Sequence, residues 1–218
     1  LITNPLIDQH DEWLGVCKKY KTKYPVFNEK MISKPINSYH LIESLNLHAK
    51  NNTIFVSDAG SANYVTSQGL KLKGAQREIT SGAFYSMGIT LPMTIGASKS
   101  NPKKQVIGIT GDGSIELNIQ ELKTLSIHQL DVKLFIINNG GYASIRKSQE
   151  DMTGGRYTDD DDVLNFSKIS KAFDISYFLI NDPQKISSNI KSVLNKKGPY
   201  IIEVMCDPFQ KIVEPFNM

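Results

Sequence analysis

The chain has 218 residues, 40% of them hydrophobic and 22% charged, and a formal charge of +3. That composition suits one globular domain with a good core and excludes a low-complexity chain, and so small a charge gives no reason to expect nucleic acid or a membrane surface as partner. No apolar run approaches the roughly 20 residues of a membrane span, no secretory signal is visible, and Cys17 and Cys206 lie far apart without metal-ligand spacing, which reads most simply as a reduced, cytoplasmic protein.

The chain begins LITNPLIDQ, without Met, and reads as a piece of something longer. Residues 1–35 form a lead-in, with a short helix over Asp11–Lys23 that places Trp13, Val16 and Tyr20 on one face, followed by breaks at Pro25 and Pro35. Residues 36–218 alternate between two patterns. A helix is expected over Ser38–Ala49 and a strand over Thr53–Ser57, ending in the loop DAGSAN. The glycine-rich stretch TSGAFYSMG leads into a small-residue helix, Leu91–Ser98. Next come a strand over Gln105–Thr110, the loop GDGS, a helix over Ile115–Gln129, a strand over Lys133–Ile137 and the loop NNGGY. A helix over Val163–Phe173, a strand over Ile175–Leu179, a helix over Pro183–Leu194 and a strand over Tyr200–Met205 complete the series. Strands alternating with helices predict an α/β fold, a parallel sheet flanked by helices on both faces. The runs VIGIT, LFII and YIIEVM are near-continuously apolar, as strands buried on both sides should be.

GDGS and NNGG form the ends of one βαβ unit. Ile115, Ile119, Leu122 and Leu125 make one apolar face on the helix between them. A right-handed crossover makes the two strands parallel, so their carboxyl ends share one edge of the sheet, where open parallel sheets bind ligands. Asp112 then lies beside Asn139. One carboxylate and one amide oxygen, with no His or Cys, suit a hard cation such as Mg²⁺, which takes few protein ligands and shares itself with phosphate. Gly111 and Gly113 allow close backbone approach, Gly140 and Gly141 permit a turn that aims a carbonyl inward, and Ser114 falls at the expected N-cap of the helix, where an anion is favoured. Together these point to a Mg²⁺–diphosphate site. Either loop alone would be an ordinary turn. Neither G-x-x-x-x-G-K-[ST] nor G-x-G-x-x-G at a strand-to-helix turn is present.

GDGS followed by NN resembles the signature of the thiamine-diphosphate (ThDP) enzymes, and the likeness extends further. SGAFYSMGITLPMTIGA, NNGGYASIRKSQEDMTGGRY, GPYIIEVMCDP and the lead-in KYKTKYP resemble segments of acetolactate synthases, in the C-terminal, diphosphate-binding third of such an enzyme. The resemblance implies ThDP and Mg²⁺ as cofactors, with Asp112, the Asn139 side chain and the Gly141 carbonyl on the metal. It implies that Gly113 and Ser114 hold the diphosphate, helped by Gly60 and Ser61, and that Tyr142 also binds cofactor. Met87 would wedge thiazolium and aminopyrimidine into the bent shape that brings the 4′-imino nitrogen to the C2 proton. The Tyr85 carbonyl would accept from the 4′-amino group. No catalytic residue is expected here, because the activating glutamate of the family belongs to an N-terminal domain outside this chain. The full-length protein is expected to be a homodimer or homotetramer acting on a small 2-oxo acid, with FAD left open in a middle domain, and this chain alone is expected to be inactive.

Four positions depart from the pattern. The family usually has Gly at Tyr85. Acetolactate synthases carry Trp at the place of Ser148 and Met at that of Ser144, and pyruvate-decarboxylase relatives carry a catalytic Glu at that of Ile145. The expected enzyme is therefore a carboligase or lyase of unusual acceptor rather than a standard acetolactate synthase. Two alternatives stand beside it: a subunit of a split ThDP-dependent decarboxylase, and a non-enzymatic Mg²⁺- or nucleotide-binding α/β module. Arg146, Lys147 and Arg156 are expected on a mobile loop after NNGG, either solvated or meeting a substrate carboxylate. Asp159 to Asp162 are expected to cap the helix at Val163. His10, His40, His48 and His128 read as structural or surface residues.

Overall fold

A computed structural model describes residues 10–157 and 163–213. Six strands form one sheet: β1 (Ile54–Ser57), β2 (Arg77–Ile79), β3 (Val106–Gly111), β4 (Val132–Asn138), β5 (Ser176–Ile180) and β6 (Tyr200–Met205). Their order is β2-β1-β3-β4-β6-β5, and every pairing is parallel. The expected α/β architecture is therefore the observed one. Nine α-helices are present among the described residues: α1 (Asp11–Lys23), α2 (Ser38–His48), α3 (Gly60–Gly69), α4 (Thr90–Ser100), α5 (Asp112–Ile115), α6 (Leu122–Ile127), α7 (Ala143–Thr153), α8 (Phe166–Ala172) and α9 (Ile186–Leu194).

Two apolar layers hold the sheet. On one face Leu41, Ile42 and Leu45 of α2, Val65 of α3 and Ile190 and Val193 of α9 pack on Ile107, Ile109, Phe135 and Ile202. On the other, Leu91 of α4, Leu122 and Leu125 of α6 and Phe166 of α8 pack on Val106, Leu134, Ile136 and Ile201. Alternate residues of one strand feed the two layers, so all seven residues of β4 are buried. Gly108 permits the close seat of α4, since a Cβ there would lie 2.8 Å from both Leu134 Cδ1 and Thr94 Cγ2. Lys133 is the one charged residue within β4. Its ammonium reaches the Asp131 carboxylate and the Gly198 carbonyl and lies 5.4 Å from the Tyr200 ring centroid.

Ile36, fully buried, forms a parallel bridge with Cys206 beside β6. Helix α1 buries no residue, and Trp13 and Tyr20 on its expected apolar face are exposed.

Several elements differ from expectation. DAGSAN is not a loop throughout: helix α3 starts at Gly60, where φ is +56°. The segment after NNGG, expected as a mobile loop, is helix α7. The helix expected over Ile115–Gln129 is broken into α5, a 3₁₀ stretch over Glu116–Glu121 and α6. The break falls at Asn118, whose side chain turns away to donate to the Gly88 carbonyl at 3.0 Å. The expected apolar face survives it, with Ile115, Leu122 and Leu125 buried and Ile119 packed against them. Helix α8 starts at Phe166, capped by the Asn165 side chain, which accepts from Lys168 N–H. The cap expected from Asp159–Asp162 lies outside the described residues.

Candidate functional site

Between β1 and β3 the chain order reverses: β2 lies to one side of β1, and β3 returns on the other. This is a topological switch point, where open α/β sheets form a crevice outside the strand carboxyl ends. A cavity of about 390 Å³ lies there, walled by the loops after β1, β3 and β4, the Tyr85–Met87 segment and the start of α7.

The register of β3 on β4 explains the first cluster. Gly111 pairs with Ile137, so Asp112 and the NNGG turn leave the sheet side by side. Asp112 is 1% exposed. Its Oδ2 accepts from Asn139 N–H at 3.0 Å and Gly141 N–H at 2.8 Å, and its Oδ1 from Gly113 N–H at 2.9 Å. Burial raises its pKa, and the backbone N–H groups around it pull the other way. Alternation along β4 divides the two asparagines. Asn138 donates to Glu203 Oε1 at 2.6 Å, and Asn139 faces the cavity. Among the described residues no group of three or more His, Cys, Asp or Glu could hold a metal ion, so any cation here would use this oxygen set.

Every residue expected to bind cofactor or metal lines this one cavity. Asp112, Gly113 and Ser114 come from the β3 turn, Asn139, Gly141 and Tyr142 from the β4 turn, Gly60 and Ser61 from α3, and Tyr85 and Met87 from the segment before α4. Ser144, Ile145 and Ser148 line it too, along one side of α7. Ser61 Oγ and Ser144 Oγ lie 3.2 Å apart, which ties α3 to α7. The Ser114 expectation needs correction. Gly111 occupies the N-cap and Ser114 lies one turn in. Gly113 answers to a neighbour as well as to any ligand, since a Cβ there would come within 2.6 Å of the Tyr142 ring. Tyr85 has φ 45° and ψ 42°, the left-handed region where glycine is at ease, and its ring rests near Tyr64 at 6.0 Å between centroids.

The three basic residues do not meet as a cluster in the cavity. Arg146 is buried on α7 and donates to the Gly140 carbonyl at 2.6 Å and the Asn139 carbonyl at 3.4 Å. Lys147 pairs with Asp151, and Arg156 with Glu150. Sequence reasoning missed Asp58. This carboxylate is fully buried at the end of β1, with Oδ2 accepting from Ser114 Oγ at 2.7 Å, Gly88 N–H at 3.1 Å and Thr90 N–H at 3.3 Å. Its place directly after an apolar strand and before Ala-Gly was the available signal.

A parallel sheet with a switch-point cavity and buried carboxylates at the ends of β1 and β3 defines a class of α/β proteins that bind a ligand at the carboxyl edge of the sheet. Residues 58–204 match the family described as "Thiamine pyrophosphate enzyme, C-terminal TPP binding domain", and the chain belongs to that family. It is 28% identical over 215 residues to the acetolactate synthase isozyme 1 large subunit of Escherichia coli, covering 95% of this chain and 38% of that protein. It is 31% identical over 202 residues to the acetolactate synthase large subunit of Pyropia yezoensis, covering 91% and 34%. It is 27% identical over 215 residues to the chloroplastic acetolactate synthase 2 of Zea mays, covering 94% and 33%. The chain thus spans little more than a third of the length of these curated relatives. Among the described residues, no helix is long and apolar enough to cross a membrane.

Proposed function

We propose that this chain is the diphosphate-binding part of a ThDP- and Mg²⁺-dependent 2-oxo-acid carboligase or lyase related to acetolactate synthase. The observation that carries the reading is the convergence of Asp112, Asn139 and Gly141 with Met87 and Tyr85 in one cavity at the switch point. The donor set fits the cation: a buried carboxylate, an amide and a backbone carbonyl are hard ligands, and Mg²⁺ favours them over nitrogen or sulfur. Asn139 uses its backbone N–H toward Asp112 and its carbonyl toward Arg146, which leaves its side-chain amide to the cavity.

ThDP, when bound, supplies an electron sink for carbanion chemistry; this chain positions it. Asp112, the Asn139 side chain and the Gly141 carbonyl hold Mg²⁺. The backbone N–H groups at the start of α5 favour the diphosphate charge. Met87 offers an apolar wall at the other end, and the Tyr85 carbonyl is the acceptor for an amino group. Ser144, Ile145 and Ser148 face the reacting end. With neither the tryptophan of standard acetolactate synthases nor the glutamate of decarboxylases among them, the acceptor is a 2-oxo acid or carbonyl compound unlike that of the standard enzyme. The rest of the active site, including the activating carboxylate, comes from a domain outside this chain and from a second subunit.

Thermal unfolding with Mg²⁺ plus ThDP, compared with Mg²⁺ plus ADP, tests the reading. Ligand at 100 times its dissociation constant stabilises by about 2.7 kcal/mol. The expected result is a Mg²⁺-dependent rise in Tm with ThDP that ADP does not match and that Asp112→Ala abolishes. A rise with ADP alone would establish a nucleotide-binding module instead.

A further inference from the structure

The hydrogen bonds of Ser114 leave one proton to account for. A serine hydroxyl has a single O–H. That of Ser114 is given to Asp58 Oδ2 at 2.7 Å, and its oxygen accepts from Gly88 N–H at 2.8 Å. Ser114 is 5% exposed, so water is in no position to take over these bonds. The side chain therefore has no proton left for a phosphate oxygen, and whatever this residue offers an anion comes from its backbone. Its hydroxyl serves the protein instead, as one corner of a triangle with Asp58 and Gly88.

The triangle joins the two ends of the cavity. Asp58 closes β1 and anchors its own turn through Ala59 N–H at 2.8 Å. Its carboxylate also holds Thr90 N–H, the first residue of α4, and Gly88 N–H, the residue next to Met87. The Gly88 carbonyl is fixed from the other side by the Asn118 side chain at 3.0 Å. No other residue type suits position 88, where φ is +82° and a Cβ would come within 2.7 Å of Leu117 Cβ. The peptide beside Met87 is thus pinned to the β1 carboxyl end and to the turn that carries Asp112.

We propose that Asp58 is a positioning residue that sets the span between the Met87 wall and the Asp112–Gly113 turn, so that the two ends of a bent diphosphate cofactor meet their contacts at once. The proposal rests on the cofactor reading above. It gives the buried carboxylate a role through Gly88 and Ser114 rather than through contact with the ligand. Removing the charge while keeping the shape, as in Asp58→Asn, turns one of two acceptor oxygens, both in use, into a donor and weakens the other as an acceptor.

The test is amide-resolved hydrogen exchange, together with Mg²⁺–ThDP titration, on the natively expressed protein and its variants. Asp58→Asn is expected to speed exchange at both Gly88 and Thr90 at least tenfold and to raise the Kd for Mg²⁺–ThDP at least tenfold. Ser114→Ala removes one of two acceptors from Gly88 and none from Thr90, so it is expected to speed exchange at Gly88 alone. Val193→Ala, in the core away from the cavity, serves as a control for general destabilisation and should lower Tm without changing the Kd. Wild-type exchange rates at Gly88 and Thr90 in Asp58→Asn, or an unchanged Kd, would overturn the proposal. If Asp58→Asn does not fold, the contrast between Gly88 and Thr90 in Ser114→Ala decides, and equal exchange at the two sites overturns it. If the wild-type protein shows no ThDP binding, the cofactor reading fails, whereas the exchange data still decide whether Asp58 pins the Met87 segment.

Discussion

Asp112 combines a structural liability with a use. Burial lifts its pKa above the ordinary carboxylate value, against the pull of the surrounding backbone N–H groups. A folded-state pKa above the unfolded one means that the folded protein holds the proton more tightly. The associated stability is full below about pH 4, the unfolded value, and is lost as pH rises through the folded one. In metal-free buffer the Tm of the wild type should therefore fall relative to that of Asp112→Asn as pH rises from about 4 toward neutrality. Saturating Mg²⁺ should flatten that difference by compensating the buried charge. Equal pH profiles for the two proteins without metal would show that the carboxylate is not under strain. Asp112 and Asn139 were legible in the sequence because each stands in a glycine turn after an apolar strand, about one βαβ unit apart. Asp58 carried only the signal of a carboxylate after an apolar strand, and its role was not legible. An aspartate before Ala-Gly reads as a turn-former, and only the tertiary structure brings Gly88 and Ser114 to it.

The sheet type and five of the six strands followed from apolar runs, and the last strand matches residue for residue; β2, Arg77–Ile79, was not expected, because Arg-Glu-Ile carries no apolar run. The helices beside the cavity were harder to read. Helix α3, GSANYVTSQG, presents Ala62 and Val65 to the core along with Asn63 and Thr66, so its buried side is half polar and shows little apolar period. Helix α7 buries only Arg146, so its sequence resembles a solvated loop. Its anchor is the guanidinium turning back to two carbonyls of the NNGG turn just before the helix, a contact that apolar periodicity does not reveal. Arg146→Met leaves those carbonyls short of a donor and should destabilise the fold by about 1–3 kcal/mol, measured by chemical denaturation. Because the same turn presents Asn139 and Gly141, the concentration of Mg²⁺ needed for half-maximal ThDP stabilisation should rise as well. Arg146→Lys, whose ammonium lacks the planar fork, should recover part of both effects. A fully wild-type Mg²⁺ dependence in Arg146→Met would detach α7 from the metal turn.

At the scale of the molecule, the proposed cofactor cradle and the proposed substrate wall are carried by different parts. The cradle hangs on the sheet, on β1 through Asp58 and on β3 and β4 through Asp112 and Asn139. Ser144, Ile145 and Ser148 ride on α7, which has little stake in the core. Ser148→Trp, which installs the residue that acetolactate synthases carry there, should leave the Kd for Mg²⁺–ThDP within about threefold. In the full-length protein it should change the ratio of kcat/KM between competing 2-oxo-acid acceptors at least tenfold, since each 1.4 kcal/mol of altered transition-state contact is a factor of ten. Loss of cofactor binding in that variant would show that wall and cradle are one unit. The separation has a consequence for descent. A lineage can replace exposed side chains of α7 such as Ile145 and Ser148, generation after generation, while Arg146 keeps the NNGG turn and the proposed cofactor site in place. New acceptors can then be tried without any ancestor having to pass through an unfolded or cofactor-free form.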